Sequence, residues 1–164
     1  MKALTERDIR TSFVNCSKGE AGRLAVPRGL AELPWEDLDF LGWRDPGAPE
    51  RAYLVLPRTD GLTGVALRYS DRQRGLLRRN MCSLCLTTHA GNGVSLMAAR
   101  KAGAAGREGN SVGAYMCTDL ACPLYIRGKR ALEPGARIPE ALTTEQQIER
   151  MMANLAEFVT KLFT

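Results

Sequence analysis

Hydrophobic residues recur at helical spacing near the end of the chain. They follow one another three or four positions apart, which places them on one face of an α-helix. Thr143 and Gln146 form a capping-box pattern just before this stripe. We therefore predict a helix over residues 143–163 whose apolar face packs against the core. The stripe consists of Ile148, Met151, Met152, Leu155, Phe158, Val159 and Leu162.

The first fifty residues combine two short helical patterns with chain that lacks a clear period. A capping arrangement before an apolar stripe predicts a helix over residues 5–15, and a second helix is expected over residues 20–24. Cys16 is expected to pack there as a small hydrophobic residue. Residues 30–50 are expected to be irregular. Their predicted core anchors are Trp35, Phe40, Leu41 and Trp43.

The middle of the chain carries the strand signals. Short apolar runs predict strands over residues 52–56 and 62–68, joined by a hairpin connection at residues 57–61. Two further strands are expected over residues 93–98 and 112–116.

Less regular segments connect these strands. Residues 70–77 are polar and basic, and residues 102–109 form a glycine-rich loop. Thr118 or Asp119 could cap a helix over residues 120–127. The elements together predict an α+β fold, with a small antiparallel sheet and flanking N- and C-terminal helices.

The chain has the length of one ordinary domain. Its 164 residues can bury a core of their own. We divide it into a helical and irregular part (1–50), a sheet with a metal-binding module (51–130) and a C-terminal helix (131–164). No apolar run approaches the roughly 20 residues of a membrane span, and the N-terminus has no apolar signal core. We therefore expect a cytoplasmic protein without a membrane partner.

Positive charge is concentrated in the middle of the chain. Residues 51–130 carry thirteen basic and four acidic side chains, a net charge of +9, whereas residues 1–50 and 131–164 each carry −2. This asymmetry indicates an acidic partner, either protein or nucleic acid. Few aromatic residues accompany the cations, which favours a charge-driven protein contact over base stacking. The candidate partner-binding residues are Arg68, Arg72, Arg74, Arg78, Arg79, Lys101, Arg107, Arg127, Lys129 and Arg130.

Two short cysteine pairs predict a metal site. Two residues separate Cys82 from Cys85, and four separate Cys117 from Cys122. Such pairs can close a tetrahedral cage of thiolates around a single zinc ion. Two ligands would come from a turn and two from a strand end and the start of a helix, which is the arrangement of a treble clef. We therefore predict one structural Zn²⁺ ion.

Other uses of the cysteines are less consistent with the sequence. A redox dithiol would need only Cys82 and Cys85, and it usually lies in a βαβ context. Disulfides suit an exported protein, and iron–sulfur clusters as a rule use other spacings. Ordinary buried thiols remain an alternative. His89 could replace a cysteine as a ligand, but four cysteines already complete the cage.

Enzymatic activity has weak support in the sequence. A closed four-sulfur site leaves no open position for a water molecule. His89 is the single histidine, so a Ser-His-Asp triad would have to use it. The sequence contains neither a Gly-x-Ser-x-Gly elbow nor a phosphate-binding loop. We expect a non-catalytic protein without a small-molecule substrate.

The residues around the cysteines resemble a known family. Three segments are similar to those of one zinc-finger domain. They are the run Arg-Asn-Met-Cys-Ser-Leu-Cys at residues 79–85, the residues that lead to the second cysteine pair (109–117), and the segment that contains that pair (117–122). That domain is the treble-clef domain of the elongation-factor-G-binding (FBP) proteins, which include the FusB-type fusidic-acid-resistance proteins. The resemblance covers nearly the whole chain as that family's C-terminal domain, with residues 38–43 in its early part.

The resemblance implies a non-catalytic bacterial protein that docks on elongation factor G and promotes its release from the ribosome. The family's cysteine motif carries over to Cys82, Cys85, Cys117 and Cys122. The resistance proteins carry a longer N-terminal helical bundle, and here a short helical segment is expected in its place. An RNA- or DNA-binding zinc-finger module is the alternative function.

Overall fold

A five-stranded antiparallel sheet forms the centre of the molecule. The computed structural model describes residues 1–69 and 78–164. The strands in this part of the chain are β1 (Leu41–Arg44), β2 (Arg51–Arg58), β3 (Gly61–Tyr69), β4 (Arg79–Met81), β5 (Thr88–Ala90), β6 (Val94–Arg100) and β7 (Ser111–Cys117). The main sheet has the order β1-β2-β3-β6-β7, while β4 and β5 pair separately. The predicted α+β class is confirmed.

Five α-helices accompany the strands in the described part of the chain, together with three single-turn 3-10 helices. The α-helices are α1 (Glu6–Ser12), α2 (Lys18–Arg23), α3 (Gly103–Arg107), α4 (Cys122–Ile126) and α5 (Thr144–Thr160). Capping boxes begin α1, α2 and α5, through the side chains of Thr5, Ser17 and Thr143. These boxes satisfy backbone N–H groups that a helix start leaves without partners. The helices predicted at the two ends of the chain are confirmed, with α1 shorter than expected.

The hairpin between β2 and β3 is tighter than the sequence suggested. Arg58 pairs with Gly61, so the turn contains only two residues, and β2 runs through the segment expected to be a loop. Gly61 has a φ of 126°, in the region that only glycine adopts without strain. The predicted strands are therefore present, and the predicted connection at residues 57–61 was too long.

Three other expectations differ from the structure. Residues 41–44, expected to be irregular, form β1 and pair with β2. Residues 102–109, expected to be a loop, contain α3. The helix expected over residues 120–127 is limited to α4, because Leu120 has a φ of 55°. A left-handed residue cannot continue a right-handed helix.

The two faces of the sheet bury separate hydrophobic clusters. One face packs with the N-terminal segment and includes Ile9 and Tyr53. The other packs with α4 and α5 and includes Leu54, Met97 and Leu155. The four predicted anchors, Trp35, Phe40, Leu41 and Trp43, are all buried. The apolar stripe of α5 likewise faces the core, as predicted.

The connection that leads from the sheet into the first cysteine pair, residues 70–77, lies outside the described residues. No helix of the described ranges, 1–69 and 78–164, is both long and apolar enough to cross a membrane.

Gly42 in β1 allows the second cysteine pair to approach the sheet closely. A Cβ atom at this position would clash with the Leu120 side chain and lie 3.0 Å from the Leu120 carbonyl oxygen. We expect Gly42→Ala to lower the free energy of unfolding by about 1–3 kcal/mol, because a packed backbone cannot move aside without strain. Urea unfolding measures this change.

Gly22 provides the matched control for that substitution. A Cβ atom there meets nothing within 4 Å, so Gly22→Ala in α2 should be neutral or stabilising. Wild-type stability in the Gly42→Ala protein would contradict the close packing of β1 against Leu120.

Candidate metal centre

The first cysteine pair lies on a tight turn between β4 and β5. The Cys82 N–H donates to the Thr87 carbonyl oxygen (2.9 Å), and the Leu86 N–H donates to the Cys82 carbonyl oxygen (3.0 Å). The Leu84 N–H points at the Cys82 sulfur at 3.4 Å. Leu86 has a φ of 59°, a conformation that costs a leucine about 1–2 kcal/mol. These bonds aim both sulfurs of the pair inward.

The second pair joins the end of β7 to the start of α4. The Leu120 N–H donates to the Cys117 carbonyl oxygen (2.8 Å), and the Ala121 N–H donates to the Asp119 carboxylate (3.0 Å). Cys122 is the first residue of α4, so it lies at the start of a helix as predicted, although that helix begins two residues later than expected. Asp119 thus organises the turn before the helix, although it does not act as the N-cap residue.

All four sulfurs converge on one buried point. They lie within 4.8 Å of one another, and all four cysteines are buried. Cys82 Sγ lies 3.7 Å from Cys122 Sγ, and Cys85 Sγ lies 3.6 Å from Cys117 Sγ. These separations are far above the roughly 2.05 Å of a disulfide. They match the spacing of about 3.8 Å that a tetrahedron with zinc–sulfur bonds of about 2.3 Å requires.

Electrostatics within the cluster also favour a cation. Contacts from the thiols of Cys117, Cys122 and Cys82 hold the pKa of the Cys85 thiol well below its usual range. The pKa of the Cys122 thiol is raised by contacts with the neighbouring thiols, of which Cys117 has the largest effect, and by burial. The contacts among the thiols therefore lower the pKa of one cysteine and raise that of another. A dication at its centre allows all four sulfurs to ligate as thiolates.

His89 lies beside the cage without belonging to it. Its Nε2 atom is 3.5 Å from Cys117 Sγ, and its ring packs against that of Tyr125 with centroids 4.8 Å apart. Within the described residues, the cluster of candidate metal ligands contains the four cysteines alone. His89 is placed to donate a hydrogen bond to the Cys117 sulfur, as outer partners of metal ligands commonly do.

The chain after α4 holds the two cysteine pairs in place. The backbone N–H of Thr88 donates to the Ala136 carbonyl oxygen at 2.8 Å. Arg137 donates to the carbonyl oxygens of Tyr125 and Ile126 at the end of α4, where a cation also complements the helix dipole. These contacts were not evident from the sequence, because residues 128–142 show no periodic pattern.

Helix α5 supports the cage from its other side. The Asn154 side chain donates to the Leu84 carbonyl oxygen at 3.0 Å. This bond ties the first cysteine turn to the helix that fills the core.

Two of the arginines near the cage have ion-pair partners of their own. Arg127 forms a two-pronged ion pair with Asp39, at 2.6 and 3.0 Å. Arg79 donates to the Pro134 carbonyl oxygen at 3.0 Å and lies 3.6 Å from the Glu133 carboxylate. Both arginines therefore stabilise contacts between segments around the cage.

The predicted partner-binding residues fall into two groups along the sheet. Ser111 and Cys117 begin and end β7, so they are separated by about 20 Å at the usual rise per residue. Arg72 and Arg74 lie outside the described residues. The group at the cysteine end is Arg78, Arg79, Arg127, Lys129 and Arg130, and the group at the Ser111 end is Arg68, Lys101 and Arg107.

Comparison with known proteins agrees with this geometry. A family model described as FBP C-terminal treble-clef zinc-finger matches residues 8–162. The solved structure of the fusidic acid resistance protein FusC has a TM-score of 0.60 and 15% identity, covering 98% of this chain and 58% of that chain. The chain thus spans less than two thirds of FusC, and at this identity the likeness concerns the fold. No curated protein matches the sequence.

The protein is therefore a treble-clef zinc-finger protein with a single structural zinc ion. Because the family model extends over nearly all of its residues, the chain belongs to the FBP C-terminal treble-clef zinc-finger family. The family that the resemblance indicated and the zinc ion predicted from the cysteine spacing are both confirmed.

Substitutions at Cys85 and His89 distinguish a metal ligand from a residue that only contacts a ligand. We expect Cys85→Ser to reduce the zinc content far below one per chain and to unfold the finger, because structural zinc sites contribute about 10–16 kcal/mol to folding. His89→Ala is the matched control and should keep about one zinc per chain, since its ring lies beside a complete cage. Elemental analysis with thermal unfolding measures both. Zinc loss in the His89→Ala protein would show that the ligand assignment is wrong.

Proposed function

We propose that this protein is a non-catalytic zinc-finger protein that binds elongation factor G through its cysteine end and promotes the release of that factor from the ribosome. Its family and its FusC-like fold support this proposal. FusC is a fusidic acid resistance protein, and the family resemblance implies a protein that docks on elongation factor G and promotes its release from the ribosome.

The observation that carries the proposal is the surface around the cage, which we call the zinc-end surface: Arg78, Arg79, Met81, Lys129 and Arg130. All five residues are exposed. Within residues 1–69 and 78–164, no ion pair includes Arg78 or Lys129. Such cations would steer an acidic protein surface towards the finger.

Exposed hydrophobic side chains on the zinc-end surface and on the main sheet support a protein partner. Met81 is 40% exposed at the end of β4, directly before the first zinc ligand. On the main sheet, Leu96 and Tyr115 lie opposite each other and are 47% and 38% exposed. Methionine, aromatic and arginine side chains together are typical of protein interfaces.

The aromatic residues give less support to nucleic acid. Of the three tyrosines near the basic residues, Tyr69 and Tyr125 are 6% and 8% exposed, so their rings cannot stack on bases, and Tyr115 is 38% exposed. Sequence-tolerant binding of single strands depends on such stacking. The scarcity of exposed aromatic rings near the cations therefore favours elongation factor G over free RNA as the partner.

The geometry of the cage supports a role without catalysis. Four buried sulfurs would fill the four ligand positions of a zinc ion and leave no position for a bound water. The single histidine contacts Cys117 and packs on Tyr125. The zinc ion would therefore stabilise the binding surface.

Charge reversal at the zinc-end surface tests the proposal. We expect Arg78→Glu combined with Lys129→Glu to slow association with elongation factor G about tenfold or more at low salt, because exposed charges mainly set the encounter rate. Arg28→Glu, an exposed cation in the N-terminal segment, is the matched control and should change the rate little. Biosensor kinetics at several salt concentrations measure these rates.

A mixed RNA pool serves as the second ligand in the same experiment. A nucleic-acid binder would show a steep dependence of log affinity on log salt, with about one unit less slope per lost phosphate contact. Tight RNA binding without measurable binding to elongation factor G would overturn the proposal in favour of the nucleic-acid function.

A further inference from the structure

A cleft of about 580 Å³ opens between the sheet and the segment that contains α2. Four arginines line it, Arg23, Arg51, Arg68 and Arg100, and we call it the arginine cleft. Its volume falls within the range of about 300–1,000 Å³ that is usual for small-molecule sites. The cleft lies at the Ser111 end of β7, so it is distinct from the zinc-end surface and does not depend on the proposed function.

The register of the strands forces three of these arginines together. Arg51 lies directly opposite Arg68, and Arg68 lies directly opposite Ala98. Arg100 follows Ala98 by two residues, so its side chain shares the same face of the sheet. Like charges directly opposite each other destabilise a sheet. A bound anion would relieve this repulsion.

The acidic residues of the cleft have hydrogen-bond partners other than the arginines. Asp45 accepts a hydrogen bond from the Tyr53 hydroxyl at 3.0 Å. Glu20 accepts one from the Ser17 N–H at 2.8 Å, as part of the capping box that begins α2. Four guanidinium groups therefore face only two carboxylates, and the cleft keeps a net positive charge.

The arginines themselves are largely without ion-pair partners. In the described ranges 1–69 and 78–164, no ion pair includes Arg23, Arg68 or Arg100. Arg51 has a contact of 3.8 Å with Glu50, in which both side chains are about half exposed. Such a surface pair contributes little. The pKa of Glu20 is lowered first by its hydrogen bonds with Ser17 and then by the charges of Arg100 and Arg51. In the described ranges, Arg23, Arg68 and Arg100 therefore have no close ion pair that a phosphate would have to displace.

Asn15 fixes the wall of the cleft. Its side chain accepts a hydrogen bond from the Ala66 N–H (2.8 Å) and donates to the Ala66 carbonyl oxygen (2.9 Å). It also donates to the Arg100 carbonyl oxygen at 3.1 Å. One side chain therefore locks the segment after α1 to β3 and β6. Small residues, Ala66, Ala98 and Gly109, line the cleft and leave room for a ligand.

We propose that the arginine cleft binds a small organic phosphate, meaning a phosphate ester with hydroxyl or amino groups of sugar-phosphate or nucleotide size. Planar guanidinium forks match phosphate oxygens in pairs, and three of them converge from adjacent strands. The volume exceeds that of inorganic phosphate alone. Glu20 and Asp45 have carboxylate oxygens on the wall that can accept hydrogen bonds from the organic part.

Calorimetric titration of the zinc-loaded full chain tests this proposal. The probes are inorganic phosphate, pyrophosphate, ribose 5-phosphate and the mono- and diphosphates of adenosine and guanosine, at constant ionic strength. At least one ester should bind more tightly than inorganic phosphate. Arg68→Gln and Arg100→Gln should each weaken that binding tenfold or more, whereas the control Arg28→Gln should not.

Thermal unfolding of the same variants gives an independent readout. Without ligand, Arg68→Gln should be at least as stable as wild type, because it removes a like-charge pair from the sheet. The ester should raise the melting temperature of the wild-type protein, and this rise should be lost in the Arg68→Gln and Arg100→Gln proteins. The proposal is overturned if no ester binds, if the variants bind it equally well, or if an acidic peptide binds where the esters do not.

Discussion

Four buried cysteine sulfurs around one point are the constraint on which the metal-binding half of the molecule depends. Burial and mutual repulsion prevent four thiolates from coexisting unless a cation compensates them. The zinc ion satisfies that requirement and joins a tight turn to the end of a sheet strand. The side chains of Arg79 and Arg137 connect segments around the cage through hydrogen bonds to backbone carbonyl oxygens. Zinc binding energy in this region is therefore folding energy.

The sheet joins this metal-dependent part to a conventional hydrophobic core. Its other face packs with the N-terminal segment, where the rings of Trp43 and Tyr53 contact each other with centroids 5.3 Å apart and planes tilted by 41°. That cluster needs no metal ligand. Its edge strand β1 touches the second cysteine turn through Gly42 and Leu120. The packing of Gly42 against Leu120 therefore joins the two parts of the molecule at the edge of the sheet.

Local patterns made much of the fold predictable from the sequence. The capping boxes and the apolar stripe identified α5, and the cysteine spacing identified the zinc site, because both depend on neighbours in the chain. Strand β1 was missed because four residues are too few to show a period, and α3 was missed because glycines dominate it. The register that places Arg51 opposite Arg68 is a long-range property. No pattern within one segment of the sequence could therefore have predicted that these arginines line a common cleft.

X-ray absorption at the zinc edge tests the central claim most directly. Protein purified without added metal should contain about one zinc per chain, surrounded by four sulfur atoms at about 2.3 Å. Such a result would establish the closed cage formed by Cys82, Cys85, Cys117 and Cys122. A spectrum that requires a nitrogen or oxygen atom in place of one sulfur would contradict the account, as would a metal-free protein with the finger still folded.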